Sequence, residues 1–203
     1  MIRTFSKTLA AAFVGAFMFV SMPAFAQTLP AWIIDPAKST LTFEATQQGA
    51  PITGTFKGFT GDIRFDASKP DQSKATIRVD MKTVDSKSGD RDKSLIGKDW
   101  FSIESFPEST YTVSKFEKLN ENQYLARGEL DLRGVKKTLD LPLTITFTTD
   151  DQGRDTALAV GEATLNRLDF GVGQGEWKDT QAVGNPVKVK VSVTAIRNDA
   201  AAQ

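Results

Sequence analysis

The chain has no cysteine and no histidine among its 203 residues. The first absence excludes a disulfide, a thiolate nucleophile, a Cys-ligated zinc or iron–sulfur site and a lipid attached through sulfur. The second excludes Ser-His-Asp and Cys-His pairs and every imidazole metal ligand. An enzyme would have to work with carboxylates, Lys or Tyr alone, so the chain is read as having no catalytic residue and no metal site. An excess of one charge is missing too: 25 Lys+Arg stand against 25 Asp+Glu, with no long basic run. That balance argues against a nucleic-acid partner. Hydrophobic residues make up 40% of the chain, enough for a packed core.

Long apolar runs are also absent, except at the N-terminus. Arg3 and Lys7 form a short positive region, and Leu9 to Val20 is an uncharged apolar run of 12 residues. Pro23 then breaks any helix before Ala24-Phe25-Ala26, which supplies small residues where a signal peptidase needs them. Residues 1–26 are therefore read as a secretory signal peptide cut before Gln27. A run of 12 residues is short of the roughly 20 needed to cross a bilayer core. Removing the segment leaves 23 basic against 25 acidic groups, a net charge of −2. The remaining chain, 27–203, is expected to be one exported domain (core 32–197), periplasmic in a Gram-negative source and without a membrane span. Its last residues, from Asn198, form a polar, Ala-rich tail.

What is present from Trp32 onward is alternation of period two. Ala75, Ile77, Val79 and Met81 alternate with Thr76, Arg78, Asp80 and Lys82. Gly128, Leu130 and Leu132 alternate with Glu129, Asp131 and Arg133. Leu139, Leu141, Leu143, Ile145 and Phe147 alternate with Asp140, Pro142 and a row of Thr, and Val187, Val189, Val191 and Val193 alternate with Lys188, Lys190 and Ser192. Weaker strands are expected over 39–46, 52–59, 62–66, 110–118 and 157–165. Turn chemistry separates them at Lys69-Pro70-Asp71, Leu119–Asn122, Arg133-Gly134 and Asp150–Gly153. Only 88–101, with Leu95, Ile96, Trp100 and Phe101 at helical spacing, reads as a short helix that breaks at Gly97. About eight half-apolar antiparallel strands must close into a sandwich or a barrel to bury their inner faces. Such a barrel is wide enough to be filled by side chains or to hold one slender ligand, and periodicity does not choose between them.

Three groups of residues invite chemistry. The aromatics, Phe59 among them, are either the lining of an apolar cavity or an ordinary core. Gly171, Gly173 and Gly175 lead towards a Val-rich strand and no P-loop Lys-Ser/Thr comes after them, so they are read as a bulged or mobile rim loop. Arg167 beside Asp169 is read as a surface or rim ion pair. Asp85, Asp90, Asp92 and Asp99 do not match a calcium loop and are read as helix-capping acids on a solvated face, with Arg91 and Asp92 available to hold the helix to the barrel.

Taken in order, the segments Trp32–Ser39, Gly54–Asp66, Arg91–Leu95, Trp100-Phe101, Phe106-Pro107, Gly128–Lys137 and Asn166–Gly173 resemble the YceI family, bacterial polyisoprenoid-binding proteins of extended lipocalin-like fold. The resemblance implies an all-β fold, an eight-stranded antiparallel lipocalin-like barrel with a short helix near one mouth. It implies a binding or carrier role for a polyisoprenoid lipid, such as a polyprenyl phosphate or an isoprenoid quinone tail, with no other cofactor and, in some members, a homodimer. The 171–175 segment and the 88–101 helix would gate the channel. The expected ligand-binding residues are Phe43, Phe56, Phe65, Ile77, Val79, Met81, Leu95, Trp100, Phe101, Phe106, Phe116, Phe170 and Trp177. Where many relatives carry histidine this chain has Lys38 and Ser94, so no imidazole contact transfers. The alternative is a stress-related interaction protein whose barrel is filled by its own side chains and takes no lipid.

Overall fold

The alternating residues build strands whose inner members face one another across a closed sheet. The computed structural model describes residues 29–198; the segment read as a signal peptide and the tail beyond Asn198 lie outside the described residues. In chain order the strands are β1 (Ala31–Ile34), β2 (Thr40–Gln47), β3 (Ala50–Phe56), β4 (Phe59–Arg64), β5 (Lys74–Asp80) and β6 (Val84–Asp85). Helix α1 (Gly89–Ile96) follows, then β7 (Glu108–Lys118), β8 (Gln123–Leu132), β9 (Val135–Thr149), β10 (Asp155–Asn166) and β11 (Pro186–Asn198).

All the pairings are antiparallel, and β1–β11 pairing closes the sheet on itself. Three pairs of short strands each act as one bent course. β1 and β2 both lie along β11, β3 and β4 lie along β2 and β1, and β5 and β6 lie along β4 and β3. With β7 to β11 this makes an eight-course up-and-down barrel, the architecture expected from the sequence.

The bends have local causes. Between β1 and β2, the Asp35 carboxylate accepts the Ala37 N–H at 3.0 Å and starts a single 3-10 turn over Pro36–Lys38. Pro36 has no N–H to give the ladder. The Ser39 hydroxyl then donates to Asp35 O at 2.7 Å and accepts from Thr194 N at 3.0 Å, which rejoins the course to β11. Between β5 and β6, Thr83 Oγ1 donates to Asp80 O at 2.6 Å and accepts Gly58 N at 2.9 Å, pinning this bend to the one between β3 and β4.

The connections define two ends. At the base, Trp32, Phe65, Phe116 and Tyr124 cluster at the end of the barrel, Phe65 meeting Phe116 and Tyr124 edge to face with centroids 5.0 and 5.4 Å apart. The Trp32 indole N–H donates to Phe65 O at 2.9 Å, so its polar edge is satisfied as it is buried. At the opposite end lie α1 and the 167–185 connection, around a second cluster that includes Phe43, Leu95, Trp100, Phe170 and Val172. The helix is shorter than the sequence reading. It stops at Ile96, where Gly97 turns extended, and Phe101 N bonds back to Leu95 O at 2.9 Å, so Trp100 and Phe101 fold under the helix end on turns.

Candidate functional site

Between the two clusters the barrel is hollow. A cavity of about 570 Å³ runs from Ala75, Val113 and Phe116 near the base to Trp100, Val172 and Trp177 near the other end. Its wall on β11 is Val187, Val189, Val191 and Val193, six residue steps or about 20 Å of strand at roughly 3.4 Å each. The volume lies within the roughly 300–1,000 Å³ of small-molecule sites. Protein interiors are otherwise close-packed. A void of that size is a feature of a fold that keeps space for an occupant.

Most of the residues picked from the sequence meet on this wall. Phe43 comes from β2, Phe56 from β3, Ile77 and Val79 from β5 and Phe116 from β7. Met81 comes from the bend after β5, Leu95 from α1, Trp100 and Phe101 from the turns after it, and Trp177 from the 167–185 connection. Phe65, Phe106 and Phe170 do not line the cavity. Phe65 belongs to the base plug and Phe170 to the packed layer at the other end, 5% and 3% exposed. Phe106 lies against the β8–β9 turn at Gly134. They have the right chemistry, but their rings pack into the two end clusters and the β8–β9 turn and not onto the cavity wall.

Sequence reasoning left out much of the aliphatic wall: Leu41, Ile52, Leu139, Leu141, Leu143 and the valines of β11. The alternation that placed β9 and β11 was the signal for them, since their inner residues must face whatever the barrel encloses. Tyr111 is also on the wall. Its ring lies over Gly128 of β8, where a Cβ would meet the ring at 2.7 Å, and its hydroxyl reaches Leu139 O at 2.8 Å and Ala126 O at 3.0 Å. Burial, reinforced by the charge of Asp140, pushes the phenol above its usual 10.0. The fold thus favours the neutral phenol, and this contribution is intact below pH 10 and lost as pH rises further. Urea midpoints should fall between pH 9 and pH 12 in the natural protein, and Tyr111→Phe should flatten that slope; an unchanged slope would remove Tyr111 as its source.

Arg167 requires a correction. It is not a rim ion pair: it is 2% exposed, and Asp169 lies 3.8 Å from Lys137 instead. The Arg167 guanidinium donates to five carbonyls, Gly184 O (3.0 Å), Val172 O (3.0 Å), Gly173 O (3.5 Å), Trp177 O (2.6 Å) and Val183 O (2.7 Å). It also lies 5.4 Å from the centroid of the Trp100 ring. Burial lowers its pKa from the ordinary arginine value. The glycine loop, expected to be bulged or mobile, is therefore tied down. Gly173 has φ +85, and a Cβ there would collide with Arg167 Nη1, so only glycine fits. Asp99 O accepts the N–H groups of both Gly173 and Gln174, at 2.8 and 2.7 Å.

Two places interrupt the apolar wall. Gln47, Ser88, Asp90, Arg91 and Ser94 bring polar groups to the cavity beside α1. On the far side, β9 and β10 pair only as far as the Leu143–Gly161 rung. Beyond it Pro142, which has no N–H for the ladder, continues with β8, while 162–166 continue with β11. The wall parts there, with Leu139, Leu141, Ala163 and Leu165 along the parting.

A closed antiparallel barrel around one long apolar bore defines the lipocalin-like class of ligand-holding proteins. The sequence matches the YceI-like domain over residues 32–195, and the chain belongs to that family. It is similar to a UPF0312 protein of Shewanella oneidensis, 31% identical over 82% of this chain and 87% of that one. Among solved structures it is similar to BcnA of Burkholderia cenocepacia, with a TM-score of 0.74, 30% identity, and coverage of 79% of this chain and 98% of that one. A polyisoprenoid binding domain from Saccharophagus degradans shares the fold at a TM-score of 0.67 and 16% identity, over 83% of this chain and 99% of that one.

Proposed function

We propose that this protein is a non-catalytic carrier that holds the tail of a long polyisoprenoid lipid, a polyprenyl phosphate or an isoprenoid quinone, inside its barrel. The observation that carries the reading is the 570 Å³ bore with its wall of Val, Leu, Ile and Phe. A linear prenyl chain cannot hide its surface from water alone. Each unit of about five carbons gains about 3–4 kcal/mol on burial, at roughly 0.8 kcal/mol per CH₂, before the ordering of ligand and protein is subtracted. A closed barrel supplies an apolar interior while pairing nearly all its own backbone, and the parting between β9 and β10 gives a tail a side passage. The Saccharophagus degradans domain, named for polyisoprenoid binding, adds support. The Arg3/Lys7, Leu9–Val20 and Ala24-Phe25-Ala26 pattern supports export to the periplasm. A self-filled interaction barrel is disfavoured by the hollow interior.

The test is extraction of the purified chain 27–203 followed by mass spectrometry, with uptake of added prenyl lipid followed by Trp fluorescence. A stoichiometric isoprenoid in the extract, or saturable uptake, is the expected result. Neither, in a folded protein, would end the proposal.

A further inference from the structure

The cap over the mouth is bonded shut, while the side wall is not. Asp99 O holds the N–H groups of Gly173 and Gln174, the Gly184 N–H donates to Thr46 O at 2.9 Å, and the Gln48 N–H donates to Ala182 O at 2.9 Å. The turn after α1, the 167–185 connection and the β2–β3 turn are thus joined, and Arg167 adds its own bonds within the connection. A lipid passing under this cap would have to break such bonds. The parting in the wall asks for none. Residues 135–142 of β9 bond to β8, residues 162–166 of β10 bond to β11, and the two stretches do not pair with each other. The Lys137–Asp169 ion pair, 3.8 Å apart with both side chains about half exposed, joins β9 to the turn after β10, and a contact of that kind holds little.

The outer face beside the parting is apolar and uncharged. Ala159 and Ala163 face the bore, so the alternate residues Leu158 and Val160 point outward, 40% and 44% exposed. Across the ladder Leu158 lies between Thr146 and Thr194, and Val160 between Thr144 and Ser192. One rung nearer the base, Ile196 pairs with Ile33, which is 56% exposed. The charged residues that border this face neutralise one another: Glu162–Lys188 at 3.4 Å and Glu44–Lys190 at 2.5 Å towards the mouth, Asp155–Arg197 at 3.2 Å towards the base. Exposed aliphatic side chains grouped inside a neutral rim mark a surface that meets an apolar partner. Because the face runs up to the parting, a second copy of the chain seated on it would cover the passage. A zwitterionic bilayer would not: it accepts aliphatic side chains, needs no charge from the protein, and is where a water-insoluble prenyl lipid resides.

Resting on the lipid-carrier reading, we propose that the protein loads and unloads sideways at a bilayer. The face of Ile33, Leu158 and Val160 settles on the membrane surface, and the prenyl tail passes between β9 and β10 while the cap stays shut. The side of the barrel, and not its mouth, is then the surface that visits the membrane. A few aliphatic side chains without a cationic patch give a reversible contact, as a carrier that must leave again requires.

The chain has no cysteine, so cysteine pairs can be installed in 27–203 and closed with a short bis-maleimide. Pro142→Cys with Glu162→Cys, both exposed and opposite one another on the rung beyond Leu143–Gly161, staples the parting. Asp99→Cys with Gln174→Cys staples the cap. Uptake of geranylgeraniol from phosphatidylcholine vesicles, followed by Trp fluorescence, should slow about tenfold or more with the parting stapled and stay within about twofold with the cap stapled. Protein loaded before the parting is stapled should keep its lipid, which shows the bore intact. Leu158→Thr with Val160→Thr should slow uptake from vesicles about tenfold, while affinity for the same lipid delivered in detergent micelles stays within about twofold. A cap staple that blocks uptake as much as the parting staple, or more, would overturn the sideways route, and so would no effect of either. An unchanged vesicle rate in the Thr variant would overturn the docking face. So would a shift from dimer to monomer in that variant by light scattering, which would assign the face to a second copy. If the natural protein takes up the lipid from neither vesicles nor micelles, the carrier reading itself has failed.

Discussion

Filling the bore should abolish lipid uptake without unfolding the barrel. Ala159 and Ala163 of β10 face the cavity with side chains too small to fill it, and Ala159→Phe with Ala163→Phe places two rings in that space. Each prenyl unit displaced forfeits about 3–4 kcal/mol of burial, so losing one unit weakens binding about a hundredfold or more. Stability should change little, because the ring at 163 enters the void while the ring at 159, which also packs against the base cluster, trades void filling for some overpacking. Phe65→Ala is the contrast. Phe65 lies in the base plug, outside the bore, so its loss should cost about 3–5 kcal/mol of stability with little change in affinity per folded molecule. Isothermal titration with a prenyl lipid, beside urea unfolding, reads both. Unchanged uptake by the Phe-filled variant would show that the ligand does not enter the barrel.

Arg167→Ala should be among the most destabilising single changes in the chain. It strips the donors from five carbonyls of one connection, in a residue 2% exposed. Leaving one buried acceptor unpaired costs about 1–3 kcal/mol. With water reaching some of the carbonyls, a loss of about 3–5 kcal/mol is expected, against a typical total of about 5–15 kcal/mol. Arg167→Lys should recover only part of it, because an ammonium offers three donors from one point and not a planar fork of five. Proteolysis should shift to the 171–185 segment in both variants. A loss below about 1 kcal/mol by urea unfolding would mean that water replaces the guanidinium at little cost and that the connection is not held by it.

Legibility followed the range of the interactions. β5, β8, β9 and β11 were readable because alternation within one strand decides which side chains face inward, and that is settled over a few residues. β1 is not legible because its four residues precede a proline turn and gain their place by pairing with distant segments, Ala195–Asn198 on one side and Ile63-Arg64 on the other. Arg167 was misread for a related reason. Its sequence neighbour Asp169 suggested a pair, while its actual partners at 172–184 become a binding pocket only after the connection folds back. Phe65, Phe106 and Phe170 are as apolar as the aromatics that line the bore, and nothing local says that two of them fall in packed end layers and the third against a turn.

From its residues alone this protein had its strands, its turns, its inward and outward faces and its lack of imidazole and thiol chemistry. Those follow from periodicity and from which atoms are present. That the interior is hollow was decided only in three dimensions. Whether inward side chains touch or leave space depends on the diameter at which eight courses close and on the height of each residue along the axis, and both are sums over the whole barrel.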